Sequence, residues 1–295
     1  MSSLASSPGA LRSAPESVRR VSGRRRASAV VFAVLCSLSF VLVVVPLADI
    51  LWTVLSRGAS ALNLQVFTQG TNGISGGLLN AIEGTVVLSA GAIVFAAPVG
   101  VLTGVYLAEY GSGPWGSSVR FLADVLTGVP SIVLGYFSYV TLVEGLGWQF
   151  SALAGAITLA ILIVPYIARF TELAMRQNPP SLREAGYALG CREHQVVFKI
   201  LLPAARSGVI TGVLLSLAIS VGETAPLIYT AGWSNYMWNG KLTHEPVGYL
   251  TYVIWSFINQ PFASAHALAY AAAFLVIAVV LAINITTRMF LRKRL

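Results

Sequence analysis

The chain has 295 residues, 56% of them hydrophobic and only 10% charged, and carries a formal net charge of +8. That balance excludes an ordinary soluble domain and points to an integral membrane protein. The two cysteines, Cys36 and Cys191, fall in different parts of the expected topology and supply no disulfide framework.

Residues 1–29 are rich in Ser, Ala, Arg and Pro without an apolar period, which predicts a disordered basic tail. Arg24, Arg25 and Arg26 precede an apolar run as in a secretion signal. The run is too long for a signal core and no small-residue cleavage site closes it, so it reads as an uncleaved first span. A helix needs about 20 apolar residues to cross the hydrocarbon, and six runs qualify: residues 30–55, 82–106, 119–143, 151–172, 207–230 and 266–289. Residues 30–295 therefore read as one all-α, polytopic six-span domain.

The cations orient it. Six Arg precede the first span, Arg120 starts the third, six cations lie in the loop at 174–206 and its flank, and four close the chain. Only Arg57 and Lys241 of the 19 Lys and Arg fall elsewhere. Retention of Lys and Arg on the cytoplasmic side puts both termini and that loop in the cytoplasm. The positive charge then records topology; it implies contact with anionic lipid heads, not nucleic acid.

Pro46, Pro98, Pro130, Pro165 and Pro226 fall one in each of the first five spans and should bend them. Gly84, Gly91, Gly100 and Gly104 in the second span, with Gly155, Ala156 and Ala160 in the fourth, permit close helix approach. Asp49, Glu83 and Asp124 sit near span ends and read as solvated or packing groups. Cys191 and His194 make a C-x-x-H pair with no complementary pair, so no zinc site is expected. The outer loop at 232–261 carries Trp233, Tyr236, Trp238, Tyr249, Tyr252 and Trp255, which suit interfacial anchoring or a face for a substrate-binding protein.

Residues 181–203, SLREAGYALGCREHQVVFKILLP, interrupt the apolar pattern. Pro179 and Pro180 end what precedes them, Ser181 is a candidate N-cap, and Glu184 three residues on completes a capping box, predicting a helix from Leu182. Leu182, Ala185, Gly186 and Leu189 repeat at i, i+3, i+4 and i+7, giving one shallow face for a partner. Gly190 supplies the left-handed stop.

At this point the chain resembles the permease subunits of binding-protein-dependent ABC importers. Glu184, Ala185, Gly190, Ile200, Leu202 and Pro203 match that family's inner-loop motif; Gly186 departs from its usual Ala. The resemblance implies a type I (MetI-like) permease whose loop forms a coupling helix in a groove of a cytosolic ATPase, with Leu182, Glu184, Ala185, Gly186 and Gly190 carrying that role. The segments PVGVLTGVYLAEYG (98–111), GVPSIVLGYF (128–137) and VGETAPLIYTAG (221–232) further resemble the PstA-type permease of the phosphate importer. That branch implies a sister permease (PstC-like), an ATPase dimer (PstB-like) and an extracytoplasmic phosphate-binding protein (PstS-like), with no cofactor and no metal. It places the protein in the bacterial inner membrane. A PstC-type permease or a permease for another oxyanion is the alternative within the class.

The GETAPL segment places Glu223 about 24 Å along the fifth span from residue 207, where a carboxylate is costly and marks a candidate pathway with Thr224 and Pro226. No basic residue lies in 217–221, so any Arg partner of Glu223 is expected from the sister permease. No phosphate-binding G-x-x-x-x-G-K-[ST] loop is present, so the chain should not hydrolyse ATP itself. A self-sufficient secondary transporter would need its own coupling site, and no H-E-x-x-H or G-x-S-x-G constellation supports a membrane enzyme.

Overall fold

Long apolar runs in which every backbone group must find an internal partner fold as helices. The computed structural model describes residues 23–292; of the tail expected to be disordered over residues 1–29, residues 1–22 lie outside the described residues and residues 23–29 are instead helical, continuous with the first span. Helix α1 (Gly23–Ala61) and the single turn α2 (Leu64–Thr68) lead into a short antiparallel ribbon, β1 (Thr71–Asn72) and β2 (Ser75–Gly76). Then follow α3 (Leu79–Glu109), α4 (Pro114–Gly128), α5 (Ser131–Ser138), α6 (Ala152–Arg176), α7 (Pro180–Ala188), α8 (Glu193–Gln195), α9 (Leu202–Gly222), α10 (Ala225–Ile228), α11 (Leu250–Phe257) and α12 (Ala263–Arg292). Wider π turns extend α5 over Tyr139–Gly145 and join α8 to α9 over Val196–Leu201. Among the described residues, five helices are long and apolar enough to cross a membrane, and six if α4 and α5 count as one bent span.

The chain divides into Met1–Trp52 and Thr53–Leu295. In the first unit, α1 is apolar and exposed from residue 27 to Trp52 and contains Pro46. In the second, α3 is the central helix, and three apolar clusters follow one another along it. Leu78 and Ala81 pack with Leu250, Val253 and Leu268; Leu88, Ala92 and Ala96 pack with Leu159, Ile163 and Leu227; Val105 packs with Met175, Val196 and Leu201. The small residues read from the sequence set the spacing of α3 and α6: a Cβ on Gly100 would lie 2.7 Å from Cβ of Ile167, and one on Gly104 2.5 Å from Cβ of Thr171. Without a hydrophobic force between helices in lipid, such contact surface is what associates them.

Two span boundaries differ from the sequence reading. The third span is not continuous from 119 to 143, because the chain turns by 99° between α4 and α5. Pro130 has no N–H to extend α4 and drives Val129 to an extended conformation (φ −72°, ψ 128°). The fifth span starts at Glu193, not 207, since the second half of the hairpin runs unbroken through the π turn into α9, and it ends at Gly222. Pro98 and Pro165 stay inside helices, whereas Pro130 and Pro226 mark breaks.

Candidate functional site

The hairpin begins two residues earlier than the expected capping box allows. Pro179 is the N-cap of α7 and Pro180 its first residue, and no side chain caps the helix. Proline at the first position has its φ preset and wastes no N–H, so the double proline starts the helix and Ser181 and Glu184 lie exposed within it. The stop is as read: Gly190 has φ +73°, its N–H donates to the Tyr187 carbonyl (2.9 Å), and Cys191 N–H reaches back to Gly186 O (3.1 Å). That pair of bonds is the Schellman closure, which needs a residue free to adopt positive φ.

The five residues expected to meet an ATPase divide between two faces. Leu182 and Gly186 turn inward: Leu182 packs on the Val196 and Leu201 cluster, and a Cβ on Gly186 would lie 2.9 Å from Ile200 Cδ1. Glu184, Ala185 and Gly190 are exposed, together with Leu189 (82% exposed), which the helical repeat had given to the partner face, and Tyr187, which it had not assigned. Gly186, in place of the usual Ala, fits the crowded side of α7.

Behind the hairpin lies a charge network whose geometry the sequence had not revealed. Glu172, with its side chain 6% exposed, takes Arg120 Nε at 2.8 Å and Arg176 at 2.9 Å on Oε1, with Arg169 3.6 Å from Oε2. Arg169 also bonds Asp124 (2.6 Å), so that carboxylate is paired as well as solvated. Arg120 donates further to Leu107 O (2.6 Å) and Gly111 O (2.8 Å), closing the carbonyl end of α3 with a cation, as the helix dipole favours. Glu109 in that same turn is paired with Arg183 of α7 at 2.5 Å.

The second site is the break after α9. Gly222 ends the helix and Glu223 is extended (φ −72°, ψ 137°), so Pro226 does not kink a running helix as expected; it sits in the first turn of α10. Three contacts hold the break. The Glu223 side chain faces the Ser131 hydroxyl, its carbonyl accepts from Thr251 Oγ1 at 2.7 Å, and Gly135 lets α5 press on α10, since a Cβ there would lie 2.5 Å from Pro226 Cα. Tyr136 meets Tyr229 edge-on at 6.2 Å. Two of the motifs singled out in the sequence, GVPSIVLGYF and GETAPL, are thus one structural junction. Thr224 is half-buried beside it. A small cavity of about 10 Å³ lies against Ser220, Glu223 and Tyr249, and the Ser220 and Tyr249 hydroxyls are buried without a hydrogen-bond partner. Among the described residues no cluster of three His, Cys, Asp or Glu side chains is placed to hold a metal ion.

Of the remaining carboxylates, Glu83 accepts the Trp238 N–H at 3.0 Å and Asp49 is exposed on α1. In the 232–249 loop, Lys241 bonds Glu245 at 2.5 Å and holds its carboxyl below the usual carboxylate range. Trp233 stacks on Tyr252 at 4.7 Å.

Residues 100–295 match the family described as binding-protein-dependent transport system inner membrane component. The Mycobacterium bovis protein named phosphate transport system permease protein PstA 2 is 46% identical over 259 residues, covering 88% of this chain and 86% of its own. The Haemophilus influenzae protein named phosphate transport system permease protein PstA is 40% identical over 264 residues, covering 87% and 92%. An inward-facing structure of the MetNI methionine ABC transporter superposes with a TM-score of 0.58 at 21% identity, over 73% of this chain and 93% of that one, a likeness of fold. This chain belongs to the family of binding-protein-dependent transport system inner membrane components, and within it to the PstA-type permeases.

Proposed function

We propose that this chain is the membrane-spanning permease subunit of an ATP-driven phosphate importer, pairing with a sister permease, two cytosolic ATPase subunits and an extracytoplasmic phosphate-binding protein. Both termini and the α7 hairpin face the cytoplasm, on the side where Lys and Arg are retained. ATP is hydrolysed on the separate ATPase, against whose groove Glu184, Ala185, Tyr187, Leu189 and Gly190 of α7 dock. The observation that supports this reading best is the junction at Glu223. In a chain whose full-length relatives are named phosphate permeases, the GETAPL motif breaks a spanning helix and offers a carboxylate, a hydroxyl and free backbone groups at one place, which is how membrane proteins line a substrate path.

Movement of the hairpin on ATP binding rocks the bundle between two states, and Glu223, Thr224 and Pro226 lie where the path opens. As the protonated acid, Glu223 donates to a phosphate oxygen; as the carboxylate, it is neutralised by a cation of the sister permease. The test is ATP-dependent uptake of labelled phosphate into proteoliposomes holding all four components, with sulfate and molybdate as controls. Glu223→Gln is expected to lower uptake about 100-fold, the scale of losing one hydrogen-bonded charged group, while the complex still assembles. Unchanged uptake removes Glu223 from the pathway; uptake that sulfate inhibits as well as phosphate does overturns the substrate.

A further inference from the structure

Arg183 and Glu109 form the only ion pair that α7 makes with another element among the described residues. The rest of its seat is apolar, Leu182 and Gly186 resting on the Val196–Leu201 turn. Apolar surfaces of this kind slide, whereas a charged pair with a side chain only 6% exposed on one partner fixes a direction. Both partners line a crevice of about 350 Å³ with Ala108, Met175, Pro179 and Leu201, so the pair stands beside open space and acts as a strut, not as part of a packed wall. Its far end is anchored. The α3 turn that carries Glu109 is held by Arg120 through the Leu107 and Gly111 carbonyls, and Arg120 is joined through Glu172 to Arg176 on α6. One salt bridge therefore leads from the hairpin into α3, α4 and α6 together.

We propose that Glu109 is a positioning residue for coupling: through Arg183 it carries displacement of the α7 hairpin into the last turn of α3, and from there into α4 and α6. This rests on the reading of α7 as the ATPase contact. It gives the AEYG end of the 98–111 motif a task at the hairpin.

The experiment uses the full reconstituted complex and reads phosphate moved per ATP hydrolysed. Glu109→Gln and Arg183→Gln are each expected to lower that ratio about tenfold, while the reciprocal pair Glu109→Arg with Arg183→Glu brings it back to within about threefold of the native value, as expected for residues coupled to one another. In each variant the ATPase still co-purifies and the melting temperature moves little. A ratio within about twofold of native for either Gln variant overturns the strut, as does a loss of co-purification, which would make the pair part of ATPase docking. If the reciprocal pair fails to fold, the two Gln variants decide the matter alone: unequal losses overturn it. A separate arm attaches a photo-cross-linker at Leu189→Cys in a chain with Cys36 and Cys191 replaced by Ser. Absence of an ATPase adduct there defeats the coupling reading itself, whatever Glu109 does.

Discussion

The hairpin end of the bundle and the break at Glu223 are both polar interruptions of an apolar fold, but they are built from opposite materials. At the hairpin end, four arginines share three carboxylates and two backbone carbonyls, and Glu172, Arg120, Arg169 and Arg176 each have two or more partners, with Asp124 and the Arg183–Glu109 pair joined at the edges by single bonds. At the break there is one carboxylate among hydroxyls, each contact is single, and two hydroxyls have no partner. A multiply connected charge network resists relative movement of the elements it joins; a junction closed by single hydrogen bonds, each of about 1 kcal/mol net, can exchange partners cheaply. The difference assigns rigidity to the end that receives force and adaptability to the place where the path opens.

The largest effect expected of this contrast is at Glu172. Its removal leaves Arg120, Arg169 and Arg176 facing one another beside α6. Glu172→Ala should cost about 3 kcal/mol, the low end for a broken buried pair because two of the arginines are half exposed. Thermal unfolding of the assembled complex checks it; a melting temperature unchanged from native would show that the network does not brace the hairpin end. Next is Gly135→Leu, which forces α5 away from Pro226 and should cost about 2 kcal/mol by overpacking. Uptake should fall far more than stability does. Equal losses in both would make the junction ordinary packing. Smaller again is Ser131→Ala, which removes the hydroxyl that favours the Glu223 carboxylate, at about 1 kcal/mol; it is expected to change phosphate affinity severalfold with assembly intact.

How far these regions were legible in the sequence follows from the range of the forces involved. Helices, the Gly190 stop and the close approach at Gly100 and Gly104 depend on local periodicity, on a left-handed residue and on absent side chains, all of which a linear reading records. The start of α7 was misplaced because two local rules competed, and proline at the first turn outweighed the Ser181 capping box. Leu182 and Gly186 were given to a partner because a helical stripe of small residues does not say which side of the helix it covers. Glu109, Arg120, Glu172 and Ser131 went unassigned because the contacts that give them a place join distant parts of the chain, as with Arg120 and Glu172, 52 residues apart, or Arg183 and Glu109, 74 apart. The signal that Ser131 and Glu109 mattered was present, as each lies inside a quoted motif, but nothing short of the fold tells which other motif it meets.

The smallest predicted effect is the most discriminating about the junction. Tyr249 is 1% exposed, and its hydroxyl has no hydrogen-bond partner. Its ring is held against Tyr252 at 5.7 Å and within the Leu159 and Leu227 cluster, so Tyr249→Phe keeps the packing and deletes only the oxygen. A buried, unpaired hydroxyl costs free energy that phenylalanine does not pay, and the variant should be as stable as native or more so by up to about 1 kcal/mol. The cavity beside it, at about 10 Å³, is at the lower limit for one water, and Ser220 presents a second unpartnered hydroxyl to it. A loss of 1 kcal/mol or more on Tyr249→Phe, matched by Ser220→Ala and not additive with it, would therefore mean that the two hydroxyls share a water. The break at Glu223 would then be braced by a polar network of its own, and the contrast with the hairpin end would narrow to one of charge.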